Sequence, residues 1–451
     1  MTSSRLAAVR VLIALDKGRT TMSAEVERER PDLPDRRDQA LFLELAAGVT
    51  RWRAELDALI GVFSNRPVEE LAPEVRAVLR VAAYQLHHLE RIPEHALVHE
   101  SVEIARALRH ERATGFVNAV LRNMVRGRGG PAKLPVRPAD PRDTEAALDY
   151  LSVTLSHPRW LVTRWLARVG FEACEQWCRF NNASPEISVR AADGHYDELL
   201  QRLQREDVES QPSVYVPSAI RLPAGGLGRL SAETRQLVTV QDEGSQLVAC
   251  LAGAAPGERV LDVCAAPGGK TLILDDAAGP GGLVIAADIR PARVALLRST
   301  LVRAGRPARV VALDATQPLP FEPVFDRVLL DAPCSGLGTL RRDPDIKWHR
   351  RPEDLPSLAG GQLRMLAQAA AIVRPGGTVV YATCSSEPEE NERVVDAFLA
   401  VAPEFELGRL AMHAALPGAA LVIDPRGMLH SSPAQGLDAF FAAVLVRRER
   451  A

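Results

Sequence analysis

The stretch RVLDVCAAPGGKT (Arg259–Thr271) opens as an apolar run, ends that run on an acid, and turns through glycines into a helix-forming segment. Four more runs have the same form: LVIAADI (Leu283–Ile289), ARVVALDA (308–315), FDRVLLDA (Phe325–Ala332) and GTVVYATC (Gly377–Cys384). Helix-length segments such as RPARVALLRSTLVRAG and GGQLRMLAQAAAIVRPGG lie between most of them. Near-continuous apolar strands alternating with helices predict a doubly wound parallel sheet, here a Rossmann-like α/β domain over 241–451. Ligands of such sheets bind beyond the carboxyl ends of the strands. Asp262 to Lys270, Asp288, Asp314, Asp331 to Cys334 and Thr383–Cys384 all stand at such ends. Five strand ends that converge on one crevice are a stronger signal than any single motif.

Working back from this domain, residues 1–130 read as helices throughout. RDQALFLELAAGVTRWRAELDALIGVF and LAPEVRAVLRVAAYQLHHLERI carry apolar residues at helical spacing, and strand-like alternation is missing. Glycines and prolines make 131–144 a linker. Over 145–240, two helical patches precede EISVRAA, YDELLQRLQRE and SVYVPSAIRL, which read strand, helix, strand and predict a small α+β module. The first residues have a faint transit-peptide character, but Leu6, Val9, Leu12 and Ile13 fall on one helical face and favour a domain helix.

Composition narrows the class. The chain has 451 residues, a formal net charge of -2 and 47% hydrophobic residues, as in a multidomain globular protein with no membrane partner. Six cysteines at this length make no disulfide framework, which places the expected protein in a reducing cytoplasm. Cys174 and Cys178, four apart beside Trp177, have half the spacing of a metal site but no partner pair, so core packing is expected and no metal. From Ile104 to Arg137 eight basic residues face one acid, and Arg290 to Arg309 holds six arginines and no acid. Each run is either a solvated face or a polyanion surface.

CAAPGGKT (Cys264–Thr271) approaches a phosphate-binding loop, yet Cys264 stands where the first glycine belongs and Pro267 removes an N–H from the cradle. A nucleotide triphosphatase is therefore the minor alternative. The acids suit a cofactor that carries positive charge. Asp288 lies one βαβ step after the loop, where a carboxylate accepts ribose hydroxyls. Asp262 suits the ammonium of S-adenosyl-L-methionine, and Asp314 its adenine amino group. Singly, each aspartate is better read as a helix cap, but the set is better read as a ligand site. Only four lysines occur beside 51 arginines, and two of the four, Lys270 and Lys347, fall in these motifs. RRDPDIKWHRR (Arg341–Arg351) reads either as a segment that holds phosphates and stacks a base on Trp348 or as a capped surface loop.

Together, VQDEGSQLVA, LDVCAAPGGKT, DAPCSGLGTLRRDPDIKW, YATCSSEPEENE and GLDAFFAAVL resemble the RsmB/Sun group of RNA (cytosine-5)-methyltransferases. The N-terminal VHESVEIAR and GFVNAVLR resemble the NusB antitermination fold, a pairing typical of the small-subunit (16S) rRNA enzymes. The middle module resembles the family's RNA-recognition-like insert but has Ala192 where that insert has Asn. The resemblance implies S-adenosyl-L-methionine bound by Asp262, Cys264, Ala265, Ala266, Pro267, Gly268, Gly269, Lys270, Asp288, Arg293, Asp314 and Asp331. It also implies Cys384 as nucleophile and Cys334 as the group that assists release, with Asp331 against N3 of the base and Lys270 beside it. A small-subunit rRNA partner and a monomer are expected. The same chemistry on tRNA or large-subunit rRNA, and a non-catalytic RNA-binding factor, are the other readings. The chemistry explains the two thiols. Cytosine C5 is a poor nucleophile until a thiolate adds at C6, and the adduct must afterwards be undone.

Overall fold

The computed structural model describes residues 3–449 except 19, 34, 91, 128–133, 193, 307–308 and 409–415. Part of the expected linker, with Lys133, and the first two residues lie outside the described residues. The chain forms two compact units: Met1–Ala183 with Leu340–Pro352, and Ser184–Thr339 with Glu353–Ala451. The first division falls inside the span 145–240 expected for the middle module.

The first unit is helical. Ser4–Asp16, Arg36–Arg51, Arg53–Ser64, Pro73–His88, Glu94–Ala107 and Thr114–Gly127 bury one apolar stripe each around Phe42, Leu45, Leu79, Leu97 and Leu121. The long apolar pattern over 37–63 is two helices, because Trp52 leaves helical geometry at φ -101°, ψ 19°. Gly48 lets two of these helices approach closely, since a Cβ there would lie 2.1 Å from the Tyr84 ring. Helix Arg159–Asn182 bends at Gly170, whose φ is +77°. Cys174 and Cys178 are buried in it, away from solvent.

Leu340–Pro352 belongs to this helical unit and corrects one expectation. Lys347 is buried and donates to the Arg51 carbonyl at 2.9 Å and to Asn182 Oδ1 at 3.4 Å. Trp348 Nε1 donates to the Thr50 carbonyl at 2.7 Å, and Arg53 lies over its ring. Asp345 accepts from the Met22 N–H at 3.1 Å. The last carbonyls of helix Arg36–Arg51 have no partner within the helix, and this segment satisfies them. Lys347 and Trp348 are thus committed to a helix end, and neither is placed to hold phosphates or stack a base.

The second unit contains two sheets. In the smaller, β1 (Ile187–Ala191), β2 (Gln211–Pro212), β3 (Ala219–Leu222) and β4 (Val238–Val240) form an antiparallel sheet in the order β2-β3-β1-β4. Helix Tyr196–Arg205 packs Leu199 and Leu203 on it. The ladder ends at Ala192, whose N–H donates to the Leu237 carbonyl at 2.8 Å. The larger sheet contains all five anticipated strands: β5 (Arg259–Asp262), β6 (Leu283–Asp288), β7 (Arg309–Ala312), β8 (Phe325–Asp331) and β9 (Val373–Thr383). They are parallel in the order β9-β8-β5-β6-β7, so the chain adds strands outward on one side of β5 and then on the other. That switch of sides opens a crevice at the carboxyl ends of β5 and β8. Three later strands, β10 (Phe405–Leu407), β11 (Leu429–His430) and β12 (Phe441–Arg447), complete the edge. β12 runs antiparallel between β9 and β10. The sequence motif GLDAFFAAVL is therefore the start of a strand paired to the one that ends at Thr383. Among the described residues, no helix is long and apolar enough to cross a membrane, and no group of His, Cys, Asp or Glu has the arrangement of a metal site.

Candidate active site

β5 delivers Asp262 to the crevice and buries it. Its Oδ2 accepts from Thr271 Oγ at 2.7 Å, while Oδ1 finds no donor among the described residues. Burial, with Asp331 and Asp288 nearby, raises its pKa to about 7 against the opposing effect of Thr271 and Lys270. A buried carboxyl oxygen without a donor is costly in the free protein and fits a cationic ligand group.

The following loop turns sharply. Gly268 has φ +110°, and a Cβ there would meet Leu297 at 3.0 Å. A Cβ on Gly269 would meet Gln241 at 3.0 Å, so VQDEGSQ lines the loop through a residue the sequence reading did not single out. Gln241 Oε1 is also buried without a donor among the described residues. Burial pushes the Cys264 thiol far up, so it stays protonated. The loop backbone is tied to β6: Ala266 N–H donates to Asp288 Oδ2 at 3.2 Å and Arg293 donates to the Ala266 carbonyl at 2.7 Å. Asp288 also accepts from the Ile289 N–H and from Arg293 Nε. Both of its oxygens are occupied, and Arg293 is half-exposed. Asp314, past β7, accepts from Thr316 N–H and Oγ at 2.9 and 2.7 Å, which holds its pKa below the usual carboxylate value.

Lys270 and Asp331 meet across the crevice at 2.7 Å. Burial works against the Lys270 ammonium, but Asp331 and Asp262 more than offset it and its pKa is raised. Phe440, just before β12, lies 6.0 Å from Lys270 Nζ and walls the same side. Asp331 is partly exposed, and this cation is its ion-pair partner.

β8 and β9 are neighbours in register, with Asp331 opposite Ala382, so their following loops carry Cys334 and Cys384 side by side. The two sulfurs are 3.2 Å apart, and the Cys384 N–H points at Cys334 Sγ at 3.3 Å. The hydrogen bond to Cys334, then burial and Asp331, push the Cys384 thiol well up, against the pull of Lys270. The loops also meet at Gly338, whose N–H donates to the Cys384 carbonyl and whose carbonyl accepts from Ala439. A Cβ at Gly338 would lie 2.0 Å from the Ala439 oxygen. Around them Glu390, Gln362 and Asn391 form a buried polar set that the sequence reading passed over. The run EENE (Glu389–Glu392), three residues after the Thr-Cys-Ser turn, was its available signal.

The site therefore brings together Asp262, the glycine loop, Asp288, Arg293, Lys270, Asp331, Cys334 and Cys384 at adjoining strand ends. Asp314 stands further out along the same edge of the sheet, past β7. The arrangement provides a cradle for a cofactor with a cationic head, next to a pair of thiols.

Comparisons with known proteins agree with this geometry. Residues 249–446 match the family described as 16S rRNA methyltransferase RsmB/F, residues 2–126 the NusB family, and residues 157–226 the ferredoxin-like domain of RsmF/B-like methyltransferases. The chain is 35% identical over 453 residues to a ribosomal RNA small subunit methyltransferase B of Pseudomonas syringae, covering 98% of this chain and 96% of that protein. It is 34% identical over 412 residues to a probable ribosomal RNA small subunit methyltransferase B of Bacillus subtilis, covering 90% of each. The crystal structure titled PH0851 superimposes on it with a TM-score of 0.80 at 25% identity, covering 100% of this chain and 99% of that one. An N-terminal NusB domain, a ferredoxin-like module and a Rossmann-like catalytic domain with two thiols at its strand ends place this chain in the RsmB family of S-adenosyl-L-methionine-dependent rRNA methyltransferases.

Proposed function

We propose that the protein methylates C5 of one cytidine in small-subunit rRNA through a covalent bond between Cys384 and C6 of the base. The observation that carries this reading is the pair of thiols 3.2 Å apart beside the Lys270–Asp331 ion pair. One thiol suffices to add to a pyrimidine; a second in contact with it has a use in a reaction that must also undo the adduct.

S-adenosyl-L-methionine supplies an electrophilic methyl group when bound. Asp262, with its unpaired buried oxygen, would take the cationic head, and the backbone of Ala266 to Gly269 would line the cradle. Asp288 would hold the ribose hydroxyls, and Asp314 would meet the adenine edge. The target base leaves its stack to reach the thiols. Cys384 loses its proton to solvent and its sulfur bonds to C6, which moves an electron pair toward N3 and makes C5 nucleophilic. The Lys270–Asp331 pair holds a proton at N3 and stabilises that charge. Once C5 carries the methyl group, Cys334, ionised to the thiolate by loss of its proton to solvent, takes the C5 proton onto its sulfur. The C–H electron pair restores the ring double bond as the C6–S bond breaks and Cys384 leaves. A cytoplasmic site keeps both thiols reduced for this cycle.

The raised pKa of Cys384 gives the free enzyme a neutral nucleophile, so adduct formation is expected to quicken as pH rises above neutrality. Removing Cys334 takes away the leading cause of that shift, and the same rise then appears at lower pH. The test uses Cys334→Ala with S-adenosyl-L-methionine and small-subunit rRNA on a denaturing gel. A protein–RNA band that disappears in Cys334→Ala/Cys384→Ala is the expected result. A band formed by Cys384→Ala, and none by Cys334→Ala, would reverse the two roles.

A further inference from the structure

The β8–β9 ladder ends just before the thiols. Its last bond runs from the Ala332 N–H to the Ala382 carbonyl at 2.8 Å. Pro333 has no N–H with which to extend it. The next backbone bond between the loops is Gly338 to Cys384. Between these points side chains hold the loops together, and they converge on Glu390.

Glu390 closes a short turn, Pro388–Glu390, and is fully buried. Its Oε1 accepts from the Ser335 N–H at 2.8 Å and from Gln362 Nε2 at 2.9 Å. Its Oε2 accepts from Ser385 Oγ at 2.5 Å, and the Ser335 and Ser385 hydroxyls are themselves 3.1 Å apart. Gln362 also donates to the Pro333 carbonyl at 3.0 Å, from a helix that spans Asp354–Ala371. One carboxyl group thus grips the residue after Cys334 and the residue after Cys384. Asn391 secures the other side: it accepts from Thr383 Oγ at 2.5 Å and donates to the Ser385 carbonyl at 2.9 Å.

We propose that Glu390 is a positioning residue for the thiol pair, clamping the Cys334 loop to the Cys384 loop so that release keeps pace with attack. Glu390 touches neither sulfur, and it acts through Ser335 and Ser385. A carboxyl group suits the task because its two oxygens accept several donors at once in fixed directions, without the unmet N–H of an amide. Displacements of about 1 Å at a reacting centre cost roughly 100-fold in rate, so a clamp between two reactive loops has a large effect.

The consequence for turnover rests on the proposed roles of the two cysteines, but the geometry can be tested without RNA or cofactor. Diamide takes the two thiol hydrogens and joins the sulfurs, and peptide mapping reads the Cys334–Cys384 disulfide. Glu390→Ala is expected to slow this coupling about ten-fold or more, with the cofactor KM unchanged and kcat down roughly 100-fold. Glu390→Gln keeps an acceptor for Ser335 and a polar partner for Ser385, and is expected to restore most of the coupling rate. During turnover Glu390→Ala accumulates the covalent RNA adduct although Cys334 is present. A folded Glu390→Ala that couples its thiols at the wild-type rate overturns the proposal. If that variant fails to fold, Ser385→Ala removes a single hydroxyl and carries the same test, with slower coupling expected and an unchanged rate decisive against it. Coupling that follows Glu390 while no variant forms an RNA adduct upholds the clamp and overturns the covalent mechanism instead.

Discussion

At Asp262 a single carboxyl group couples protons to ligand binding. Its pKa of about 7 lies above the ordinary 3.8 because burial disfavours the charge. Folding therefore binds a proton at this group, and without ligand its contribution to stability is lost as pH rises through 7. A cationic ligand head prefers the ionised form. Affinity for S-adenosyl-L-methionine is thus expected to fall as pH drops below about 7, approaching ten-fold per pH unit. Calorimetry across pH 5.5 to 8.5, in buffers of different ionisation heat, measures both the affinity and the proton released, to about one proton per site. Asp262→Asn is expected to bind weakly at every pH with no such slope; a slope retained in that variant would assign the proton to another group.

At the scale of elements, the segment Leu340–Pro352 belongs to the helical unit although it follows the Cys334 loop in the chain. Its buried Lys347 serves the carbonyl end of helix Arg36–Arg51. Burial holds that ammonium well below its ordinary 10.5, so the folded protein binds the proton less readily than the unfolded chain. Stability from this group is complete above 10.5 and is lost as pH falls toward the folded value. Lys347→Ala leaves the Arg51 carbonyl buried without its donor and is expected to cost about 2–4 kcal/mol in denaturant unfolding. Lys347→Met fills the space and is expected to flatten the alkaline rise in stability. An unchanged rise would place the titrating group elsewhere.

Across the molecule, near-zero net charge conceals basic stretches, and the structure divides their members. Arg306 pairs with Asp275 and Asp276, and Arg293 with Asp288. Arg298 and Arg303 are exposed on helix Pro291–Arg303 beside Leu296 and Val302. If that face meets RNA phosphates, Arg298→Ala and Arg303→Ala each reduce the slope of log K against log salt by about 0.7–0.9, whereas Arg306→Ala changes it little. Filter binding of small-subunit rRNA over a range of salt measures those slopes. Equal slopes in all three variants would mark the run as a solvated face.

The five parallel strands were legible because both faces of such a sheet are covered, so LVIAAD and FDRVLLD read as apolar throughout and the acids that close them stand out. The cofactor loop was legible for a related reason, since turns that demand glycine and proline leave a local mark. Strand β12 was not, because its place between β9 and β10 is decided by pairing across distant segments. Lys347 and Trp348 read in the chain either as substrate contacts or as part of a capped surface loop. Only packing revealed the helix end whose carbonyls they satisfy. Both cysteines were visible as motifs, but no spacing of 50 residues states that their sulfurs lie 3.2 Å apart. Nor does it state that Glu390 ties their loops together. Local residue chemistry specifies strands, turns and reactive groups, whereas the partners of a buried polar atom are chosen when distant segments are packed out of water and each donor must find an acceptor.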